Sequence, residues 1–290
     1  MFAYVTIQEI HRHYLNELSL IYSKNESAQI THMIFEDIAG ISRSEIIKKP
    51  LEPLPSLISE KLDSCLARLM QHEPVQYVIG HTWFYKLKLK VNPTVLIPRP
   101  ETEELVSEAV DFLKTKKQPS ILDIGSGSGC IPIALKKNIP EAEVSSIDIS
   151  KEALEIAGEN AKLNGVSVNF KQTDFLSQKN WNTFGKYHVI ISNPPYIPLS
   201  EKNTMDINVI KYEPYLALFV DNRNPLIFYH KIASFGKLRL KKEGKIFLEV
   251  HENYAQQVKD VFQNENYTTE VKKDIFGKER IIVATHCRLQ

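Results

Sequence analysis

Asp123-Ile124-Gly125-Ser126-Gly127-Ser128-Gly129 follows the apolar pair Ile121-Leu122 and precedes Cys130-Ile131-Pro132-Ile133-Ala134-Leu135. This order predicts a strand, a glycine turn and a helix in succession. Glycines at alternate positions let the backbone turn sharply and approach a bound molecule closely, while the helix that follows offers free amide groups at its N-terminus. A nucleotide-like ligand is implied. The dinucleotide pattern G-x-G-x-x-G would need glycine at 130, where this chain has Cys130, so the spacing favours S-adenosylmethionine over a nicotinamide dinucleotide. Read alone, the same glycines also suit a tight structural turn.

Working outward from this loop, apolar runs at 121–124, 144–147, 166–170, 189–192 and 246–250 read as strands. They alternate with helical patterns near 130–137, 151–163 and 225–240. Such alternation is the sign of an α/β domain with a mainly parallel, doubly wound sheet covered on both faces. The end of the chain departs from that scheme. Tyr267–Val271 and Ile281–Thr285 are joined through Asp274–Lys278, short enough for an antiparallel hairpin at the sheet edge. Lys241-Lys242 beside Gly244 reads as the end of the preceding helix, where cations are favourable.

Asp148 ends the next strand, roughly twenty residues beyond the last glycine, the usual place for an acid that accepts from ribose hydroxyls. Asp174 follows the third strand and can accept from an adenine amino group, with Phe175 stacking near the ring; a solvated loop acid is the alternative for Asp174. The most specific signal is Asn193-Pro194-Pro195-Tyr196, directly after Val189-Ile190-Ile191. An amide nitrogen is a weak nucleophile because its lone pair is delocalised into the carbonyl. Methylating it requires the NH2 to be held while the nitrogen becomes tetrahedral. The Asn193 side-chain oxygen and the Pro194 carbonyl can each accept one N–H. The prolines keep the loop extended and bring no competing donors, and Tyr196 can cover the planar group and exclude water. These features point to methyl transfer onto a planar amide or amino nitrogen, in which Asn193, Pro194 and Tyr196 are catalytic. Asn193 to Tyr196, Pro195 included, hold the substrate.

The first seventy-odd residues read as helices. Thr6 with Glu9 and Ser42 with Glu45 form capping-box patterns, and Ile7, Ile10, Tyr14, Leu18 and Ile21 recur at helical spacing. Further helices are expected from Glu26 to Ala39, stopped by Gly40, and from Ser56 to Met70. Beyond Pro74 the period changes: Tyr85, Leu87, Leu89 and Val91 alternate with Lys86, Lys88 and Lys90, a half-buried strand whose lysines form a solvated face. Gln76–Ile79 is the expected partner strand. The domain reading is therefore a helical substrate-recognition domain at 1–74, a β-hairpin linker at 75–98 and a catalytic domain at 99–290.

Thirty-six basic residues against thirty-five acidic ones leave a formal charge of +1, and residues 1–75 hold seven Lys or Arg against ten Asp or Glu. Neither balance favours a nucleic-acid or anionic membrane partner. This counts against an adenine-N6 or guanine-N2 methyltransferase, which the Asn-Pro-Pro-Tyr sequence alone would also suit. Cys65, Cys130 and Cys287 are widely spaced, and His11 and His13 fall on different helix faces, so neither a disulfide framework nor a metal set is expected. A reducing cytoplasm fits this composition. Intact Gly125, Asp148 and Asn193 argue against a catalytically silent scaffold.

Taken together, the motifs resemble the release factor glutamine methyltransferase (HemK/PrmC) family. The resemblance runs over nearly the whole chain. Besides the glycine loop and Asn193–Tyr196, it includes Glu73-Pro74-Val75-Gln76-Tyr77 with Gly80, and Leu96-Ile97-Pro98-Arg99-Pro100-Glu101-Thr102-Glu103. It extends to Tyr212-Glu213-Pro214 with Ala217-Leu218, and to Asp274 through Gly277 to Arg280. It implies a class-I S-adenosylmethionine methyltransferase domain, Rossmann-like, with an antiparallel edge hairpin, preceded by a small helical bundle and a β-hairpin linker. By that resemblance S-adenosyl-L-methionine is the cofactor and S-adenosyl-L-homocysteine the product. Gly125, Ser126, Gly127, Ser128, Gly129, Asp148, Asp174, Phe175 and Asn193 contact the cofactor. The substrate is the Gly-Gly-Gln glutamine of class-1 peptide release factors, and Arg99 and Thr102 line the same pocket. A ribosomal-protein glutamine methyltransferase is the nearest alternative. Val250-His251-Glu252-Asn253 departs from the family, whose members more often have a glycine-containing turn there.

Overall fold

The computed structural model describes residues 5–287. The chain divides into two compact units, one formed by the described residues up to His81 together with Asp206–Tyr212, the other by Thr82–Met205 and the described residues from Glu213.

The first unit is helical. Its elements are α1 (Ile7–Leu18), α2 (Lys24–Ile34), α3 (Arg43–Lys48), α4 (Ser56–Leu69) and α5 (Val75–Ile79). Both capping boxes form: Thr6 and Glu9 bond reciprocally at the start of α1, as do Ser42 and Glu45 at α3. The expected single helix from Glu26 to Ala39 is α2 followed by a wider π-helical turn, Phe35–Ala39, closed by Gly40 at φ 68°. Tyr14, Leu18, Ile34, Phe35, Leu62 and Leu69 are fully buried between the helices, and the Tyr14 hydroxyl donates to the Leu62 carbonyl. Gln76–Ile79 is not a strand. Pro74 opens a turn of helix there and Gly80, at φ 79°, closes it. The Arg68 guanidinium then holds the Glu73 carboxylate at 2.6 Å and the carbonyls of Tyr77 and Val78 at 3.0 and 3.1 Å.

In the hairpin, β1 (His81–Phe84) and β2 (Leu87–Lys90) pair with each other. Tyr85 and Lys86 are the two turn residues, with φ 49° and 63°, so the strand begins at Leu87 rather than at Tyr85. Leu87 and Leu89 are buried, while Lys88 and Lys90 face solvent.

The second unit continues through α6 (Pro100–Leu113), β3 (Ser120–Ile124), α7 (Cys130–Asn138), β4 (Glu143–Asp148), α8 (Lys151–Leu163), β5 (Asn169–Gln172), β6 (Tyr187–Ser192) and β7 (Ile197–Pro198). Next come α9 (Ile207–Tyr212), which belongs to the helical unit, then α10 (Tyr215–Leu218), β8 (Phe219–Val220), α11 (Ile227–Arg239), β9 (Leu240–Glu249), α12 (Ala255–Asn264), β10 (Tyr267–Lys273) and β11 (Glu279–His286). Seven strands form one mixed sheet in the order β10-β11-β9-β6-β3-β4-β5, while β7 and β8 make a small parallel pair. The pairs β9–β6–β3–β4–β5 are parallel, and β10–β11 and β11–β9 are antiparallel, giving the edge hairpin expected for the chain end.

Alternate strand residues divide between the two faces. Leu122, Ile190, Ile246 and Leu248 pack with Ile232, Phe235, Val258 and Phe262 under α11 and α12. Ile121, Val189, Ile191 and Phe247 pack with Leu105, Val106, Ile133 and Leu135 under α6 and α7, where Phe84, Leu87 and Leu89 of the hairpin join them. The helix α6 was not anticipated, although Pro100 at its start and Glu101 and Glu103 in its first turn favour it; nor was α12.

Two strand positions differ from expectation. After α8 the chain is occupied in closing the helix, with the Gly165 and Val166 amides donating to Lys162 and Ala161, so β5 pairs only from Asn169 rather than from Val166. Lys241 and Lys242 lie in β9, not at a helix end: α11 stops at Arg239, and the strand runs through to Glu249. Gly244 suits this place because a Cβ there would stand 2.9 Å from the Leu240 side chain and 3.0 Å from the His188 carbonyl of β6.

Candidate active site

Going outward from β3 the strand order reverses: β4 and β5 follow on one side, while β6 lies on the other. Loops leaving the carboxyl ends of β3 and β6 therefore part at a topological switch point, where open α/β sheets take their ligands. The register makes the placement specific. Asp123 pairs with Ile191, so Gly125 and Asn193, each two residues further on, emerge side by side. The Ser192 hydroxyl donates to the Ile124 carbonyl at 2.6 Å and ties the two strand ends together.

The glycine loop takes left-handed backbone at Gly125, Gly127 and Gly129, with φ 88°, 51° and 81°. Gly129 also has no room for a side chain, since a Cβ would lie 2.9 Å from Ile133 Cδ1 and 3.0 Å from Ala157 Cβ of α8. The amides of Gly125 and Ser126 donate to the Ile147 carbonyl at 2.8 and 3.0 Å, and that of Gly127 to Asp148 Oδ2 at 2.9 Å. These three amides are therefore not free donors, and the two glycines add no side chains to the loop surface. Beneath it Ser126 Oγ bonds to Ser146 Oγ, and Ser146 donates to Asp123 Oδ2 at 2.5 Å. Asp123 is fully buried, and its Oδ1 has no hydrogen-bond partner among the described residues. Burial raises its carboxyl well above the ordinary value, with the nearby Asp148 adding to the shift. Ser128 contributes through its backbone: its carbonyl accepts from Asn160 Nδ2 at 2.9 Å.

Asp148 sits at the end of β4, where burial raises its carboxyl against the opposing effect of the backbone donors of Gly127 and Ser150. It thus braces the loop while remaining partly exposed. Asp174 is exposed and lines an open cavity of about 360 Å³ with Ile149, Thr173 and Asn180. Phe175 is placed differently from expectation. Its ring is 5% exposed, stacked on Trp181 at 5.6 Å and set edge-on to Phe235, so its packing is that of a core residue beneath the Asp174 wall.

In the tetrapeptide Pro194 is buried, and Asn193, Pro195 and Tyr196 are partly exposed. Asn193 Nδ2 donates to Thr102 Oγ1 at 3.2 Å, and Thr102 Oγ1 donates to Glu249 Oε2 at 2.6 Å. The Tyr196 hydroxyl donates to Glu249 Oε1 at 3.2 Å. Glu249 ends β9 next to the end of β6, since Ser192 pairs with Leu248. Burial raises its carboxyl, against the lowering effects of Thr102, Arg280 and Tyr196. Burial likewise raises the Tyr196 phenol, as does the neighbouring Glu249. Arg99 Nη2 donates to Glu213 at 2.6 Å, and the Glu213 carboxylate also accepts from the Ile97 amide at 3.3 Å. Arg99 and the Ile97 amide together fix the Glu213 side chain. At the Val250–Asn253 turn, His251 Nδ1 accepts from the Asn253 amide at 3.1 Å and its ring meets Tyr196 edge-on at 5.9 Å. Sequence reading missed Glu249 and Asn160, because an acid ending an apolar strand and an asparagine inside a helix carry no local mark.

Residues 9–80 match the PrmC N-terminal domain model and residues 106–211 the methyltransferase small domain model. The chain is similar to the release factor glutamine methyltransferase of Flavobacterium psychrophilum, 35% identical over 280 residues, covering 95% of this chain and 98% of that one. It is likewise similar to that of Bacteroides thetaiotaomicron, at 39% identity over 91% and 94% of the two chains. The corresponding Lactococcus lactis protein is 46% identical over 74% and 78%. Similarity at this level over nearly the full length of such relatives means that this chain belongs to the release factor glutamine methyltransferase family.

Proposed function

We infer that this protein methylates the side-chain amide nitrogen, N5, of the glutamine in the Gly-Gly-Gln motif of class-1 peptide release factors, using S-adenosylmethionine as methyl donor. The observation that carries this reading is the register of β3 against β6, which sets the glycine loop beside Asn193-Pro194-Pro195-Tyr196 at the switch point of the sheet.

The residues present fit the cofactor. The left-handed glycines leave a cradle without side chains, Asp148 stands half-buried at the end of the neighbouring strand, and a cavity opens between Ile149 and Asp174. In this assignment Gly125–Gly129 hold the amino-acid portion, Asp148 accepts from the ribose hydroxyls and Asp174 from the adenine amino group. Phe175 supports that wall from the core. When bound, the cofactor supplies an electrophilic methyl group on a sulfonium.

The protein's own contribution is orientation and charge. Asn193 Oδ1 and the Pro194 carbonyl accept the two amide protons of the glutamine and draw its nitrogen out of conjugation. As positive charge develops on nitrogen these acceptors bind it more tightly, so they favour the transition state over the ground state. Tyr196 lies over the planar group and excludes water. Fixing donor and acceptor in line is a proximity effect, for which about 7–11 kcal/mol is the upper range. The helical unit is assigned the recognition of the release factor.

The test is to incubate the enzyme with methyl-labelled cofactor and, separately, a class-1 release factor, ribosomal proteins and tRNA. Label on the release-factor glutamine is the expected outcome. Label on a ribosomal-protein glutamine alone, or on an exocyclic amino group of nucleic acid alone, sinks the release-factor reading.

A further inference from the structure

Asn193 can serve a primary amide in only one of its two orientations. Its carboxamide has an oxygen on one side and an NH2 on the other, and a substrate NH2 needs the oxygen. Nothing in Asn193 itself selects between them, so the selection has to come from its neighbour. That neighbour is Thr102 Oγ1, 3.2 Å from Nδ2.

A threonine hydroxyl has one proton, and it would accept from an NH2 or donate to a carbonyl oxygen equally well. The choice is made one residue further back. Thr102 Oγ1 donates to Oε2 of Glu249 at 2.6 Å; against the burial that raises this carboxyl, Thr102, the Arg280 charge and Tyr196 favour its ionised form, which can only accept. The hydroxyl proton is thereby committed to Glu249, leaving Thr102 only a lone pair for Asn193. Asn193 must turn Nδ2 toward Thr102, and Oδ1 is left for the substrate. The other oxygen of Glu249 accepts from Tyr196 at 3.2 Å, so one carboxylate orients two members of the tetrapeptide. Glu249 is 1% exposed, which excludes a solvent-facing role.

We propose that Glu249 is a positioning residue for the methyl transfer: through Thr102 it keeps the Asn193 carboxamide oxygen directed at the substrate nitrogen, and it fixes the Tyr196 ring in the same frame. This rests on the substrate-holding role given to Asn193 above. It follows that Glu249→Gln, though nearly the same shape, is not conservative. A glutamine carboxamide can turn either its oxygen or its NH2 toward Thr102; with the NH2 there the threonine proton is free for Asn193 Oδ1 and the reversed chain presents an NH2 to the substrate NH2, so Asn193 is no longer held to one orientation.

The experiment measures kcat and KM for release-factor methylation, calorimetric affinity for S-adenosylmethionine and thermal stability of the full-length protein. The variants are Glu249→Gln, Thr102→Val, Thr102→Ser, the Glu249→Gln/Thr102→Val double variant and Asn193→Ala. Expected is a loss of kcat of roughly tenfold or more in Thr102→Val, with a smaller loss, above about twofold, in Glu249→Gln. KM and cofactor affinity should stay within about threefold, Thr102→Ser should recover most of the loss, and the loss in the double variant should be smaller than the product of the two single losses, because part of the effect of Glu249 passes through Thr102. Should Glu249→Gln fail to fold, Thr102→Val against Thr102→Ser decides, because both keep the carboxylate. A kcat within twofold of wild type in Thr102→Val or in folded Glu249→Gln, or losses that multiply in the double variant, overturns the proposal. If Asn193→Ala is inactive while those variants are normal, only the role of Glu249 falls. If Asn193→Ala is itself normal, the reading of the site falls with it.

Discussion

A Cβ placed on Gly125 would stand 4.0 Å from the carbonyl oxygen of Asn193. The glycine loop and the tetrapeptide therefore form one surface, and in the proposed assignment a methyl donor on the first lies against an amide on the second. Asn193→Ala removes a substrate acceptor without touching the loop. Turnover should fall on the order of a hundredfold or more, the usual cost of losing one transition-state partner, with cofactor binding retained. Near-normal turnover in a steady-state assay would refute the role.

Asp148, the proposed ribose acceptor, also fixes the loop, since its two oxygens accept from Gly127 and Ser150 at 2.9 Å each. Replacing it by alanine should weaken S-adenosylmethionine binding by about tenfold or more, through the lost ribose contact and the released loop. Calorimetry reads this directly, and unchanged affinity would show that the contact was misassigned.

Gly129 is held at φ 81° against α8, where a Cβ would be 3.0 Å from that of Ala157. Gly129→Ala should cost about 2–4 kcal/mol, combining left-handed strain with overpacking. A denaturant midpoint equal to that of the wild type would contradict the close approach.

Asn160 stitches β2 to the glycine loop: its Oδ1 accepts from the Lys90 amide at 2.6 Å, and its Nδ2 donates to the Lys90 and Ser128 carbonyls at 2.9 Å each. In Asn160→Ala these backbone groups lose their partner, and a loss of about 2–4 kcal/mol is expected. Urea unfolding checks it; a loss below the measurement error would mean that the bonds are replaced by water.

Asp123 gives a pH test. Burial raises its carboxyl well above 3.8 in the folded protein. The folded state thus keeps a proton that the unfolded chain releases. The stabilisation from the neutral form is complete below the unfolded value of 3.8 and is lost as pH rises through the folded one. The carboxamide introduced by Asp123→Asn cannot titrate, so the stability of that variant relative to wild type should climb with pH inside this window, by up to about 1.4 kcal/mol per unit. Any constant offset from the amide cancels. Denaturation of the cofactor-free proteins at several pH values decides, and a flat difference rules the effect out.

The features legible in the sequence are those whose physics is local. Thr6 with Glu9 and Ser42 with Glu45 cap their helices because the partners are three residues apart. The glycines at 125, 127 and 129 announce a backbone that other residues rarely adopt. Asn193-Pro194-Pro195-Tyr196 is recognisable because acceptors, stiffness and an aromatic cover are needed within four consecutive residues. Short segments such as Gln76–Ile79 and Lys241-Lys242 were misread because so few residues suit either period; Gly80 as a left-handed cap and the pairing of β9 with β6 settle them.

By itself, then, the sequence determined the alternating α/β layout, the helical beginning, the edge hairpin and the two motifs that meet at the site. Only the tertiary structure decided what stands behind them. Strand register brought Glu249 to Asn193, α6 carried Thr102 between the two, and Phe175 was drawn into the core by Trp181 and Phe235. The physical reason is that a hydrogen bond depends on where its partners lie in space. Thr102 and Glu249, 147 positions apart in the chain, become neighbours only when the sheet closes.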